Sequence, residues 1–154
     1  AALMKEDAIA DSLMGEILIY MPESDYVNDV FYLSDLVVNL KPEEKKTFWS
    51  AYKNFYLFKF EEAIELLLQI HELNPQEKFL ILTARWAIAA NDSNLAFSTL
   101  SIPYENCFYE AQARLLMLYH VEMPPEEKRT LITDFLKKYP NNILSPEFRA
   151  LLNS

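Results

Sequence analysis

Glycine occurs once in 154 residues, at Gly15. That scarcity excludes the phosphate-cradling loop, the dinucleotide fingerprint, the strained nucleophile turn and the calcium loop, each of which needs glycine at fixed places. It also argues against an all-β fold, whose tight turns call for several residues with positive φ. Cysteine occurs once, at Cys107, and histidine twice, at His71 and His120. No disulfide within the chain and no multi-cysteine metal site can be built from these. No apolar run approaches the roughly 20 residues of a membrane span. The N-terminal stretch carries acids where a secretory signal would carry bases, so no export signal is visible.

Basic charge is also short. The chain has 23 acids against 14 bases, a net charge of −9, and the first 40 residues alone hold −7 of it. Clustered Lys and Arg supply most affinity for phosphate backbones, so nucleic acid and anionic membrane surfaces are poor candidates as partners. About half the residues are apolar, at 51%. That is enough for one compact domain spanning 1–154, with roughly two thirds of the unfolded surface buried.

With glycine nearly absent, eight prolines punctuate the chain: Pro22, Pro42, Pro75, Pro103, Pro124, Pro125, Pro140 and Pro146. The segments between them repeat apolar residues at helical spacing, which predicts about eight or nine helices and an all-α fold. A first helix is expected over 5–20, with Ile9, Leu13, Ile17 and Tyr20 on one face. A second spans 25–40, capped by Ser24, and Pro42-Glu43-Glu44 opens a third that ends near Leu57. Further helices are expected over 60–73, 76–90, a short one to Leu100, 105–119, 125–138, and a last one from Ser145. Asn91 is placed to take a left-handed cap, and Asp92 or Ser93 to cap the short sixth helix. Short loops force antiparallel neighbours, so the helices should stack as hairpins.

A repeat is visible. Ala51 and Ala63 stand twelve residues apart and Pro75 follows twelve later, with Phe60 near the turn between the helices. Ala84 and Ala96 repeat the spacing, displaced by 33 residues. Small residues on both helices allow close packing, and the closing proline stops the second helix. The pattern resembles a tetratricopeptide repeat, which implies a right-handed stack of helical hairpins. Residues 1–40 form an acidic helix pair, 42–75 the clearest repeat and 76–103 a degenerate one. A third repeat and a final helix would occupy 104–154, with Ala113 and Leu116 competing for its small position.

Catalytic signals are weak. His71-Glu72 opens like a zinc-protease helix, but the residue four after His71 is Pro75, so no second ligand shares that face. His71 reads as a surface residue near a helix C-terminus, and Cys107 as a small buried apolar residue. A Cys107–His120 nucleophilic pair would require the fold to bring the two together. The acid pairs Glu43-Glu44, Glu61-Glu62 and Glu126-Glu127 fall in first helical turns, where the helix dipole explains them. No enzyme activity, metal or cofactor is expected.

In a tetratricopeptide stack the first helix of each unit lines the inner face. Those positions hold Phe48, Tyr52, Phe55 and Tyr56 in the first repeat and Ile81, Arg85 and Ile88 in the second. The Lys and Asn residues with which tetratricopeptide co-chaperones hold terminal carboxylates are missing there. An aromatic and aliphatic groove suits an amphipathic helix of a protein partner.

The order of segments resembles the small tetratricopeptide chaperones of bacterial type III secretion, especially those that hold the needle subunit. The resemblance runs through LMGEILIYM, VNDVFYLSDLV, KPEEKK, FKFEEAIELL, WAIAANDSNLAF and AQARLLMLYH, across roughly residues 13–118. It implies a cytoplasmic, non-enzymatic protein that shields an amphipathic helix of a secreted needle or translocator subunit. It also implies a small helical co-chaperone, and self-association through the groove when the protein is free. The alternative expectation is a helical-repeat scaffold or regulatory domain excised from a larger protein.

Overall fold

A computed structural model describes residues 2–21, 23 and 25–153, and for 2–8 and 11 the backbone only. Among the described residues the chain is all-α, with nine helices and no strand. They are α1 (Ala2–Tyr20), α2 (Val27–Val37), α3 (Pro42–Tyr56), α4 (Phe60–Leu73), α5 (Glu77–Ala89), α6 (Ser93–Leu100), α7 (Cys107–His120), α8 (Pro125–Lys138) and α9 (Ser145–Leu152). The expected Ser24 cap lies outside the described residues, as does Pro22. Helix α2 is shorter at both ends than the expected 25–40, and it turns out of helix where the Leu40 N–H donates to the Val37 carbonyl at 3.1 Å.

The chain divides into two compact units, Ala1–Pro75 and Gln76–Ser154. In the first, α3 and α4 form the closest hairpin, and α1 packs on both α2 and α3. Ala51 and Ala63 have no exposed surface. Their small methyl side chains let the two helices approach, and Phe48, Leu67 and Ile70 fill the space beside them with almost no exposure. Glu44 ties the hairpin ends together. Its carboxylate accepts the Lys41 N–H at 3.0 Å and the Asn74 side-chain amide at 3.1 Å, which joins the start of α3 to the end of α4. The Lys41 and Asn74 hydrogen bonds hold its pKa below the usual carboxylate value.

The end of α3 is closed by a Schellman motif. The Phe58 N–H donates to the Phe55 carbonyl at 3.0 Å and the Lys59 N–H to the Asn54 carbonyl at 2.9 Å. Phe58 takes the left-handed conformation, with φ of 59°. The end of α5 repeats this geometry. Asn91 N–H donates to Ile88 at 3.0 Å, Asp92 N–H to Ala87 at 2.9 Å, and Asn91 has φ of 59°. Positions 58 and 91 are separated by the same 33 residues as Ala51 and Ala84. The repeat thus reaches backbone conformation as well as side-chain size. Asp92 continues directly into α6, its carboxylate accepting the Leu95 N–H at 3.0 Å.

In the second unit α5 pairs with α6, α7 packs on both, α8 lies on α7 and α9 on α8. Helix α7 faces two apolar clusters at once. Ala113 and Met117 join Leu80, Ile81, Ala84, Leu100 and Tyr104. Ala111, Leu115 and Leu118 join Ile132, Phe135 and Phe148. Ala113 lies in the same cluster as Ala84, and Leu116 packs against that cluster. The Phe135 and Phe148 rings stack with centroids 4.1 Å apart. The Glu77 carboxylate, at the start of α5, accepts the N–H groups of Glu105 and Asn106 and so holds the approach to α7.

The first helix packs differently from expectation. Ile9, Leu13 and Tyr20 face solvent, while Ala10, Met14, Ile17 and Leu18 are half-buried. Met14 makes the contact with α2, its sulfur 3.9 Å from the Ser34 hydroxyl. Helix α1 is apolar on more than one side, so periodicity alone picks out the wrong one for burial.

Two substitutions test this packing by urea unfolding. Ala63→Leu should cost about 1–3 kcal/mol by forcing α3 and α4 apart. Gly15 lies inside α1 with nothing within 4 Å of where its Cβ would stand. Gly15→Ala should therefore stabilise by about 1 kcal/mol, through helix propensity alone.

Candidate functional site

The expected aromatic stripe is graded around α3 rather than uniformly open. Phe48 has no exposed surface, a correction to its expected place on the groove. It stands three residues before Ala51, so the helical turn brings it to the side of α3 that faces α4. Ile81 stands three before Ala84 and is buried for the same reason, in the α5–α7 cluster. These two belong to the cores of their units.

Beyond Phe48 the stripe opens outward. Tyr52 stacks on Phe48 with centroids 5.9 Å apart and is half-buried. Its hydroxyl lies 3.3 Å from that of Tyr56. Burial pushes the Tyr52 pKa well up, the hydrogen bond with Tyr56 adds to this, and Asp29 and Tyr32 on α2 add further. The phenol stays neutral across any physiological pH. Tyr56 is 65% exposed and Phe55 half-buried.

The most open part of this surface is the α3–α4 turn, which the groove expectation did not include. Leu57 is 56% exposed and Phe58 is 80% exposed. The rings form a connected set: Phe55 to Phe60 at 5.4 Å, Phe58 to Phe60 at 6.0 Å, and Phe55 to Tyr56 at 6.0 Å. A left-handed conformation costs a non-glycine residue roughly 1–2 kcal/mol, and bulky residues rarely adopt it. Asn91, at the matching place in the next hairpin, is a residue type that tolerates it. The sequence signal was present: YLFKF is a helix-ending turn with an aromatic where glycine or asparagine is usual.

In the second unit Arg85 is exposed and its guanidinium donates weakly to Gln112 Oε1 at 3.4 Å, while Ile88 is half-buried. A trough of about 830 Å³ lies between the segment after α6 and the face of α8. Ile102 and half-buried Leu131 offer it apolar surface, above the buried side chains of Leu100, Tyr104, Ala113 and Met117. A second concavity of about 690 Å³ shares Met117, Glu127 and Leu131 with it and continues past Val121 and Met123.

Glu110 closes one end of the trough. Its carboxylate accepts from Arg114 at 2.7 Å, Lys138 at 2.9 Å and the Tyr139 hydroxyl at 2.8 Å. Arg114 also donates to the Leu131 carbonyl at 3.1 Å. The network stitches α7 to α8 and to the residue that follows it. Burial works to raise the Glu110 pKa. The hydrogen bonds from Lys138, Tyr139 and Arg114 outweigh it, and the net shift is downward. The carboxyl is thus held ionised, the reverse of what a general acid requires.

Other groups considered for chemistry do not assemble. Cys107 is exposed, not buried as expected: it is the first residue of α7, at the helix end next to the Asn106 cap. His120 is the last residue of the same helix, so the two stand about 20 Å apart along its axis. His71 is half-buried in the last turn of α4 and its Nδ1 has no hydrogen-bond partner. Among the described residues no three His, Cys, Asp or Glu side chains are grouped to hold a metal ion. No described helix is long and apolar enough to cross a membrane. Compared with protein families, curated proteins and solved structures, the chain matches none.

The Glu110 network makes acid sensitivity specific. A carboxyl with a lowered folded pKa contributes stability above its unfolded value, about 4.5, and loses it as pH falls through the folded value. Glu110→Gln should cost about 1–3 kcal/mol at neutral pH. The difference from the parent chain should shrink steadily in melts taken from about pH 5 downward.

Proposed function

We propose that this chain is a non-enzymatic binding module that covers an apolar or amphipathic helical segment of a protein partner. In its most specific form it is a cytoplasmic chaperone for a type III secretion subunit. The observation that carries this reading is the α3–α4 turn. Phe58 combines 80% exposure with a left-handed backbone. Neither property helps the isolated fold, since an exposed ring gains little from burial and the backbone conformation opposes it. Both become useful if the ring is an anchor for another chain. Tyr56 and Leu57 beside it extend the surface, and aromatic anchors of this kind dominate many interfaces.

Helix α1 supports the same reading. Ile9, Leu13 and Tyr20 leave a second apolar stripe facing water in the same unit. Apolar surface on all sides of a helix is ordinarily covered. Glu110, a buried carboxylate with three side-chain hydrogen-bond donors, is tied up in packing α7 to α8, which favours a binding role over acid–base chemistry.

Phe58→Gly separates function from fold. Glycine relieves the backbone conformation, so urea unfolding should show about 0.5–1 kcal/mol of added stability. Affinity capture from the native host, read by mass spectrometry, should lose the partner with the same variant, at about tenfold weaker binding or more. A partner retained at full strength by both Phe58→Gly and Tyr56→Ala would remove this surface from the function.

A further inference from the structure

The trough of the second unit is a different surface from the α3–α4 turn, and its charge is one-sided. Its only Lys and Arg, Arg114 and Lys138, are both engaged by Glu110. Three carboxylates on α8 also line it: Glu126, Glu127 and Asp134, all exposed. Among the described residues, none of the three forms an ion pair. Glu122 lines the adjoining concavity and is likewise exposed. The helix dipole accounts for Glu126 and Glu127 in the first turn of α8, but not for Asp134, two turns further on. Along α8 the acids and half-buried Leu131 fall on one side of the helix, facing the trough, whose other wall carries exposed Ile102.

We propose that this trough takes a basic amphipathic helix of another polypeptide, with its apolar stripe against Leu131 and Ile102, the apolar lining residues that keep exposed surface, and its Lys or Arg side chains against Glu127 and Asp134. Charge complementarity selects the occupant. Phosphate-bearing ligands are repelled by the rim, and a purely apolar segment leaves four carboxylates beside it without a counter-charge. The length fits, because residues 126–138 of α8 span about 18 Å, or three to four helical turns. Arg114 and Lys138 stay out of the recognition, since Glu110 already holds both.

The test uses the full chain and two labelled synthetic helices of about four turns. One is built from Leu and Lys and the other from Leu and Glu, on the same apolar pattern. Fluorescence anisotropy should show saturable binding of the Leu/Lys helix alone, weakening as salt rises. Glu127→Gln with Asp134→Asn should weaken it about fivefold. Glu65→Gln with Glu72→Gln removes the same charge from exposed positions of α4 and should leave binding unchanged, as should Phe58→Gly. Amide shifts on titration should move at Ile102, Met117 and Leu131. Equal weakening by the α4 pair would show generic attraction to an acidic protein, and the proposal would fall. It falls also if the Leu/Glu helix binds as well, if the shifts centre on the α3–α4 turn, or if sedimentation shows the trough closed by a second copy. Loss of trough binding with Phe58-dependent capture intact would overturn this inference alone.

Discussion

The close approach of paired helices at alanine is the constraint from which the rest of the fold follows. Ala51 and Ala63 are fully buried in one hairpin, and Ala84 and Ala96 are buried in the next. At each of these four positions the whole side chain is a single methyl group. That contact fixes the orientation of each first helix, and so decides which of its apolar residues are core. Residues three before the alanine, Phe48 and Ile81, turn inward. Residues one after it, Tyr52 and Arg85, stand further round, and those five after, Tyr56 and Ala89, lie outermost and are exposed.

Much of this was legible before any coordinates. Proline and capping residues mark helix ends through groups that act within a turn, so α4 begins and ends where expected, at Phe60 and Leu73. Asp92 caps α6 through the Leu95 N–H, and Asn91 takes the left-handed turn before it. What escaped was direction. Helical spacing shows that Phe48, Tyr52, Phe55 and Tyr56 share a broad face, but not which edge of that face meets the partner helix. The alanines held the answer, because the small residue marks the contact and everything else can be measured round from it. Helix α1 lacks such a marker and is apolar on several sides, so its packing on α2 through Met14 could not be told from its exposed Ile9–Leu13–Tyr20 edge.

The acids divide by role in a way that composition hides. Glu44 and Glu110 are buried, fully engaged and structural, one clasping the ends of the α3–α4 hairpin and the other stitching α7 to α8. Glu77 presents its carboxylate to two backbone N–H groups ahead of α7. By engaging both Arg114 and Lys138, Glu110 leaves the carboxylates along α8 without cations of their own in the trough. The negative rim there is a result of how the cations are distributed, rather than of the net charge of the chain.

The backbone geometry at position 58 has a consequence for the protein's mutational landscape. Codon changes toward Gly, Asn or Asp there ease the chain conformation and remove the benzyl group together. A library sorted for survival of heating would enrich them, and one sorted for partner recognition would deplete them. At Asn91, where the same turn carries a tolerant residue, the two selections would not diverge. One pair of codons, 33 apart, thus carries its own internal control for telling selection on architecture from selection on contact.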